Sequence, residues 1–129
     1  MDRGPARRFE DLVFWQKSHA LTLRVYKCTT SFPKQEIFGL TAQMRRAAVS
    51  VAANIAEGFS KRGRADKARF MNTAQASLEE LRYYFILARD LDYLPRDFAW
   101  DDLDDVARLL GAYTSTLLAK LAPSLAPSS

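Results

Sequence analysis

Between residues 101 and 121 the apolar positions Leu103, Val106, Leu110, Tyr113, Leu117 and Leu121 alternate by three and four residues. Only a helix of 3.6 residues per turn places such a set on one face, and these steps are those of a bundle seam. The same periodicity occurs three times more. From near Glu10 to about Thr29 the stripe reads Phe9, Leu12, Val13, Gln16, Ala20, Leu23 and Tyr26. Ser31-Phe32-Pro33 closes that segment, because the residue before a proline is pushed out of the helical region. From about Gln35 to Glu57 the stripe is Ile37, Leu40, Met44, Ala48, Val51 and Ile55, and Gly58 is placed as a C-terminal cap. From Arg64 or Ala65 to Asp90 it is Phe70, Ala74, Ser77, Leu78, Leu81, Phe85, Ala88 and Leu91.

No stretch alternates like a strand, and the connections are short enough to set consecutive helices antiparallel. The expected fold is therefore all-α: a single-domain, antiparallel up-down four-helix bundle over residues 9–121. Alanines crowd the second stripe at positions 42, 47, 48, 52, 53 and 56, which lets another helix approach closely. Residues 1–8 read as a flexible basic N-terminal arm. Residues 122–129, with two prolines and three serines, read as a disordered C-terminal tail.

Several function classes fall away on composition and spacing. At 129 residues the chain can build a core without staples, and its one cysteine, Cys28, supports neither a disulfide framework nor a zinc site by itself. The basic run at residues 1–8 has no apolar stretch behind it, so it does not read as a signal peptide. Charge interrupts every apolar run well short of a membrane span, so no membrane partner and a cytoplasmic location are expected. A di-iron bundle needs a Glu-x-x-His pair on each of two helices; His19 is the only histidine and has no Glu three residues before it. Gly58 and Gly63 have the spacing of a phosphate loop, but Arg64-Ala65 stand where that motif requires Lys and Ser or Thr. Ser50, Ser60 and Ser77 lack histidine and carboxylate company, and Cys28 has no activating partner and reads as a small, half-buried apolar residue. No catalytic residue, metal, cofactor or enzymatic activity is expected.

Two polar clusters remain to be explained. Net charge is +4, with sixteen Lys/Arg against eight Asp/Glu in residues 1–89 and three against seven in residues 90–129. Such asymmetry suits nucleic-acid contact or head-to-tail docking of unlike faces. Lys61, Arg62, Arg64, Lys67 and Arg69 crowd one loop and helix start with Asp66 as the only acid, and Phe59 and Phe70 flank them. Cations with nearby aromatics suit phosphate contact and base stacking, against the plainer reading of a solvated loop. On the second helix Gln43, Arg46, Ser50, Asn54 and Glu57 form a polar stripe, and Ser77, Glu80 and Tyr84 form a shorter one on the third. Arg46, Ser50, Asn54, Glu57 and Glu80 are expected to form an interhelical network or a subunit interface, with Arg46 pairing with Glu57 or Glu80. The run Asp101-Asp102-Leu103-Asp104-Asp105 lacks calcium-loop spacing and sits at a helix start, where the helix dipole favours negative charge.

Phe9-Glu10-Asp11-Leu12, Trp15-Gln16-Lys17, Phe32-Pro33, Glu36 and Gly39-Leu40 resemble the opening of a known bacterial family. Gln43-Met44-Arg45-Arg46-Ala47-Ala48-Val49-Ser50-Val51-Ala52-Ala53-Asn54-Ile55-Ala56-Glu57-Gly58 resembles its signature, and Phe70 with Ala74-Gln75-Ala76-Ser77-Leu78-Glu79-Glu80-Leu81 continues the match. On these residues the chain is similar to the four-helix bundle proteins encoded in intervening sequences of the 23S ribosomal RNA gene. More distantly it resembles the accessory proteins of diversity-generating retroelements. Ala52 departs from a frequent proline of the family and Ala76 from a frequent glycine. The resemblance implies an up-down bundle and a ring-like homo-oligomer, commonly a pentamer, and carries no established catalytic activity. Two functions follow: a basic oligomer that binds RNA or DNA through backbone phosphates, or a scaffold whose partner is another protein.

Overall fold

A computed structural model describes residues 5–121; the expected tail at 122–129 and the first four residues of the arm lie outside the described residues. Among the described residues there are four α-helices: α1 Val13–Thr29, α2 Leu40–Ser60, α3 Arg64–Asp90 and α4 Trp100–Leu121, with short 3-10 turns at Phe9–Asp11 and Lys34–Glu36 and no strand. Each helix packs on the next, and α1 also packs on α4, which closes the antiparallel up-down bundle. Leu21, Val25, Met44, Val51, Ile55, Met71, Leu81, Phe85, Leu103, Val106 and Leu110 fill its centre. At the N-terminal side the backbone N–H groups of Arg7 and Arg8 both donate to Asp11 Oδ2 at 3.1 Å.

The helix phases match the sequence stripes on α3 and α4, except that Leu91 lies exposed just past the end of α3, and they diverge on α1. There the buried face is Phe14, Ser18, Leu21, Thr22, Val25 and Thr29, whereas Val13, Leu23 and Tyr26 point outward. Three hydroxyl side chains occupy core positions because each satisfies itself on its own helix. Ser18 donates to Phe14 O at 2.7 Å and Thr29 to Val25 O at 2.8 Å. Thr22 lies 2.8 Å from Ser18 O and 3.2 Å from Ala48 O of α2. Buried hydroxyls with partners cost little, so they can stand where aliphatics were expected.

Two boundaries on α2 also differ from expectation. The helix starts at Leu40 rather than near Gln35, its first N–H capped by Glu36 Oε1 at 3.1 Å, and Ile37 lies outside it. At the other end it runs on to Ser60, so Gly58 is no cap but a buried position inside the helix. A Cβ on Gly58 would stand 2.8 Å from Phe70 Cβ, and α3 passes too close there for any side chain. On α4 the seam holds through Leu117, with Thr114 buried beside it and Leu121 exposed.

The acidic start of α4 ties the bundle laterally. Asp102 pairs with Arg24 and Asp105 with Lys17 (3.6 Å), both on α1, while Asp104 pairs with Arg82 of α3 at 2.7 Å. All are solvent-exposed pairs, each contributing at most about 1 kcal/mol.

The end of α3 carries a residue that the backbone does not favour. Tyr93 N–H donates to Ala88 O at 2.8 Å and Asp92 N–H to Arg89 O at 3.0 Å, the two bonds of a Schellman termination. Asp92 therefore sits at φ 63°, where glycine is free of the Cβ penalty. Asp92→Gly should stabilise the chain by about 0.5–1 kcal/mol, read as a higher urea midpoint at unchanged slope. A lower midpoint would mean that the Asp92 carboxylate does more than occupy the turn.

Candidate nucleic-acid interface

Because α2 continues to Ser60 and α3 begins at Arg64, only Lys61, Arg62 and Gly63 connect them. The tightness of that turn divides the five expected cations into two kinds. Lys67 lies one turn into α3 and folds back over α2: its Nζ donates to Phe59 O at 2.6 Å and stands 5.0 Å from the Phe59 ring centre. Burial pulls its ammonium below the ordinary lysine value. Lys61 and Arg69 lie over the Phe70 ring at 5.0 and 4.7 Å, and Arg69 also meets Asp66 at 3.4 Å. Phe59 and Phe70, which the sequence offers for base stacking, are thus each already faced by a cation.

Arg62 and Arg64 are different. Both are exposed, and among the described residues neither forms an ion pair or a side-chain hydrogen bond. They line a cleft of about 680 Å³ with Lys67, Tyr113, Thr116 and Lys120, so the last turns of α4 form its far wall. From the sequence Lys120 was not singled out, and Tyr113 was read only as a seam position of α4. They lie some fifty residues from the loop and join it only because α4 returns to the same end of the bundle. Gly63 supplies no side-chain cap to α3, which leaves the positive end of that helix's dipole beside the arginines. Charge, open donors and a cleft can together accept a phosphate oxygen, and Lys67 is positioned to support the turn.

The second cluster is only partly assembled. Ser50 of α2 and Ser77 of α3 share a 2.7 Å hydrogen bond across the helix interface. Asn54 Nδ2 donates to Ser50 O (2.8 Å) and lies 3.1 Å from Ser50 Oγ. Close approach of the two helices makes this seam possible, with Ala47, Ala48 and Ala74 buried around it. Glu80 instead accepts from Tyr84 Oη at 2.9 Å within α3, and burial, then this bond, pushes the Tyr84 phenol above its usual value. The expected pairing of Arg46 with Glu57 or Glu80 does not form. Arg46 and Glu57 share the helix face of Ser50 but are exposed, and among the described residues neither joins the hydrogen-bonded seam.

Other candidate groups are accounted for. His19 stacks on Trp15 with centres 5.1 Å apart. Burial pushes the Cys28 thiol up to about 11, against the pull of Arg24 and Arg45, so it stays protonated at neutral pH. Among the described residues no group of His, Cys, Asp or Glu could hold a metal, and no helix is long and apolar enough to cross a membrane.

Comparison with known proteins places this geometry. Residues 10–112 match the model of the 23S rRNA-intervening sequence protein family. A crystal structure of a protein of unknown function from the S23 ribosomal protein family of Bacteroides thetaiotaomicron superposes with a TM-score of 0.73 at 24% identity, over 80% of this chain and 96% of that one. At that identity the likeness speaks for the fold. None of the curated proteins matches the chain.

Proposed function

The chain belongs to the 23S rRNA-intervening sequence protein family, and from that premise we propose that it is a non-catalytic, cytoplasmic, self-assembling bundle protein that binds RNA or DNA through backbone phosphates. The observation that carries the reading is the pair Arg62 and Arg64, unpaired among the described residues and lining one cleft with Lys67 and Lys120. An arginine left without a carboxylate in a chain rich in exposed ion pairs is available to a ligand anion. Phosphate oxygens match its forked donors. Contacts of this kind carry little base information, so affinity should depend on salt far more than on sequence. Assembly of several copies would multiply weak phosphate contacts into useful affinity.

The test is fluorescence anisotropy with a labelled structured RNA and a matched DNA duplex at about 50 and 200 mM salt, the span over which phosphate-driven binding weakens strongly. Arg62→Ala/Arg64→Ala should weaken binding on the order of tenfold or more and lower the slope of log affinity against log salt by about two. Both side chains are exposed, so the melting temperature should not move. Absence of binding at the lower salt, or an unchanged slope in the double variant, would overturn the reading. A protein-interaction scaffold would then be the function left to pursue.

A further inference from the structure

The α1–α2 side of the bundle carries an apolar projection near one end and an apolar groove near the other, and among the described residues neither is covered. The projection is Ile37–Phe38 in the α1–α2 connection: Phe38 is 92% exposed and Ile37 57%. The turn that presents them is pinned. Ile37 N–H donates to Lys34 O at 3.1 Å and Gly39 N–H to Glu36 O at 2.9 Å. Glu36 itself accepts from Leu40 N–H at 3.1 Å and from Tyr93 Oη at 3.0 Å. An almost fully exposed phenylalanine on a fixed turn is preorganised to bind something.

The groove lies between α1 and α2 towards the opposite end, about 360 Å³ in volume and lined by Trp15, His19, Val49, Ala52, Ala53 and Ala56. Its wall is rigid: Trp15 is held edge-on by Phe9 at 4.9 Å and stacked by His19 at 5.1 Å. Alanines at 52, 53 and 56 keep it open where larger side chains would fill it. Since the projection and the groove sit at opposite ends of one bundle, the chain cannot seat its own phenylalanine.

Charge selects the occupant. Residues 90–101 pack beside the projection, through Tyr93 on Glu36 and on Phe32 (rings 5.2 Å apart), and carry four acids against Arg96 alone. Residues 61–69, at the groove's end of the bundle, carry five cations against Asp66 alone. We propose that Ile37–Phe38 of one copy seats in the α1–α2 groove of a second copy, a head-to-tail contact in which the acidic end of one bundle meets the basic end of the next. It rests on the self-assembly part of the proposed function and names the contact responsible. A contact between unlike surfaces leaves a free projection and a free groove on every complex, so it propagates until rotation closes a ring. A buried aromatic anchor in a preformed pocket is the kind of residue that dominates such interfaces.

The test is the molar mass of the full chain by size-exclusion chromatography with light scattering across a dilution series, for the unmodified protein, Phe38→Glu, Ala53→Glu, and an equal mixture of the two variants. Both sites are exposed, so each variant should keep its helical signal and melting temperature as a monomer. Each should raise the concentration needed for assembly by about thirtyfold or more. In the mixture, the intact groove of Phe38→Glu should take the intact projection of Ala53→Glu and give a 1:1 dimer that grows no further. An unmodified protein that assembles while Phe38→Glu assembles equally well overturns this contact and leaves self-assembly standing. Failure of the mixture to dimerise overturns the head-to-tail arrangement. An unmodified protein that is monomeric throughout overturns both the contact and the self-assembly reading.

Discussion

Leu21→Ala should destabilise the bundle by about 2–5 kcal/mol, while Leu23→Ala, two positions along the same helix, should change its stability by less than about 0.5 kcal/mol. Leu21 is 2% exposed and Leu23 57%. The difference comes from the cavity that a buried leucine leaves when its neighbours on α2 and α4 cannot collapse into the space. Urea titrations below the concentration of assembly would measure it, as a shift in midpoint at constant slope. The apolar stripe of the sequence makes the opposite prediction, since Leu23 lies on it and Leu21 does not. A larger loss at Leu23 would restore that stripe and mean that α1 is turned the other way.

The phase of α1 was hidden because residue type and burial part company there. Ser18, Thr22 and Thr29 face inward with their hydroxyls on nearby carbonyls, while Val13, Leu23 and Tyr26 face out. Periodicity read from hydropathy follows the wrong face whenever polar groups are satisfied locally and apolar ones serve a surface. On α3 and α4 the two agree, and Leu78, Leu81, Phe85, Leu103, Val106 and Leu110 were legible as core.

The basic loop was legible as a charge run but not as a division of labour. Which cation stays free depends on where aromatic rings and carbonyls end up after the α2–α3 turn. Lys67 reaches Phe59 O only because the turn is three residues long, and Lys61 and Arg69 meet on Phe70 only because that ring lies at the turn's flank. Arg62 and Arg64 are left over by geometry. Likewise Lys120 enters the cleft through the up-down topology, which no local pattern encodes. On the polar seam Ser50 bonds across to Ser77 of α3, whereas Asn54 bonds to Ser50 within its own helix. Among the described residues Arg46 pairs with neither Glu57 nor Glu80, and Arg46 and Glu57 are exposed.

Gly58 links that turn to the packing beneath it, and its replacement should have the second large effect. A Cβ there would approach Phe70 Cβ to 2.8 Å, Met71 Cε to 3.0 Å and Lys67 O to 3.4 Å. Met71 Cε can swing away, but Phe70 Cβ is fixed to the α3 backbone, so α3 itself must retreat. Overpacking of this kind costs about 1–3 kcal/mol, and alanine's better helix propensity returns up to about 1. Gly58→Ala should therefore lose about 1–2 kcal/mol, and Gly58→Val about 3 or more, because its branches add to the same clash. Gly58→Asn separates this from a capping role. At a left-handed cap asparagine is the best replacement for glycine, whereas at a buried helical position its unpaired amide makes it worse than alanine. Thermal melts that rank Ala above Asn would place the cost in the α2–α3 contact; the reverse rank would mean that α2 ends at Gly58 in solution. Retreat of α3 would also carry Lys67 away from Phe59 O and respace Arg62 and Arg64. Gly58→Ala should then weaken RNA binding without replacing a single contact residue, which is how a packing glycine comes to govern the surface above it.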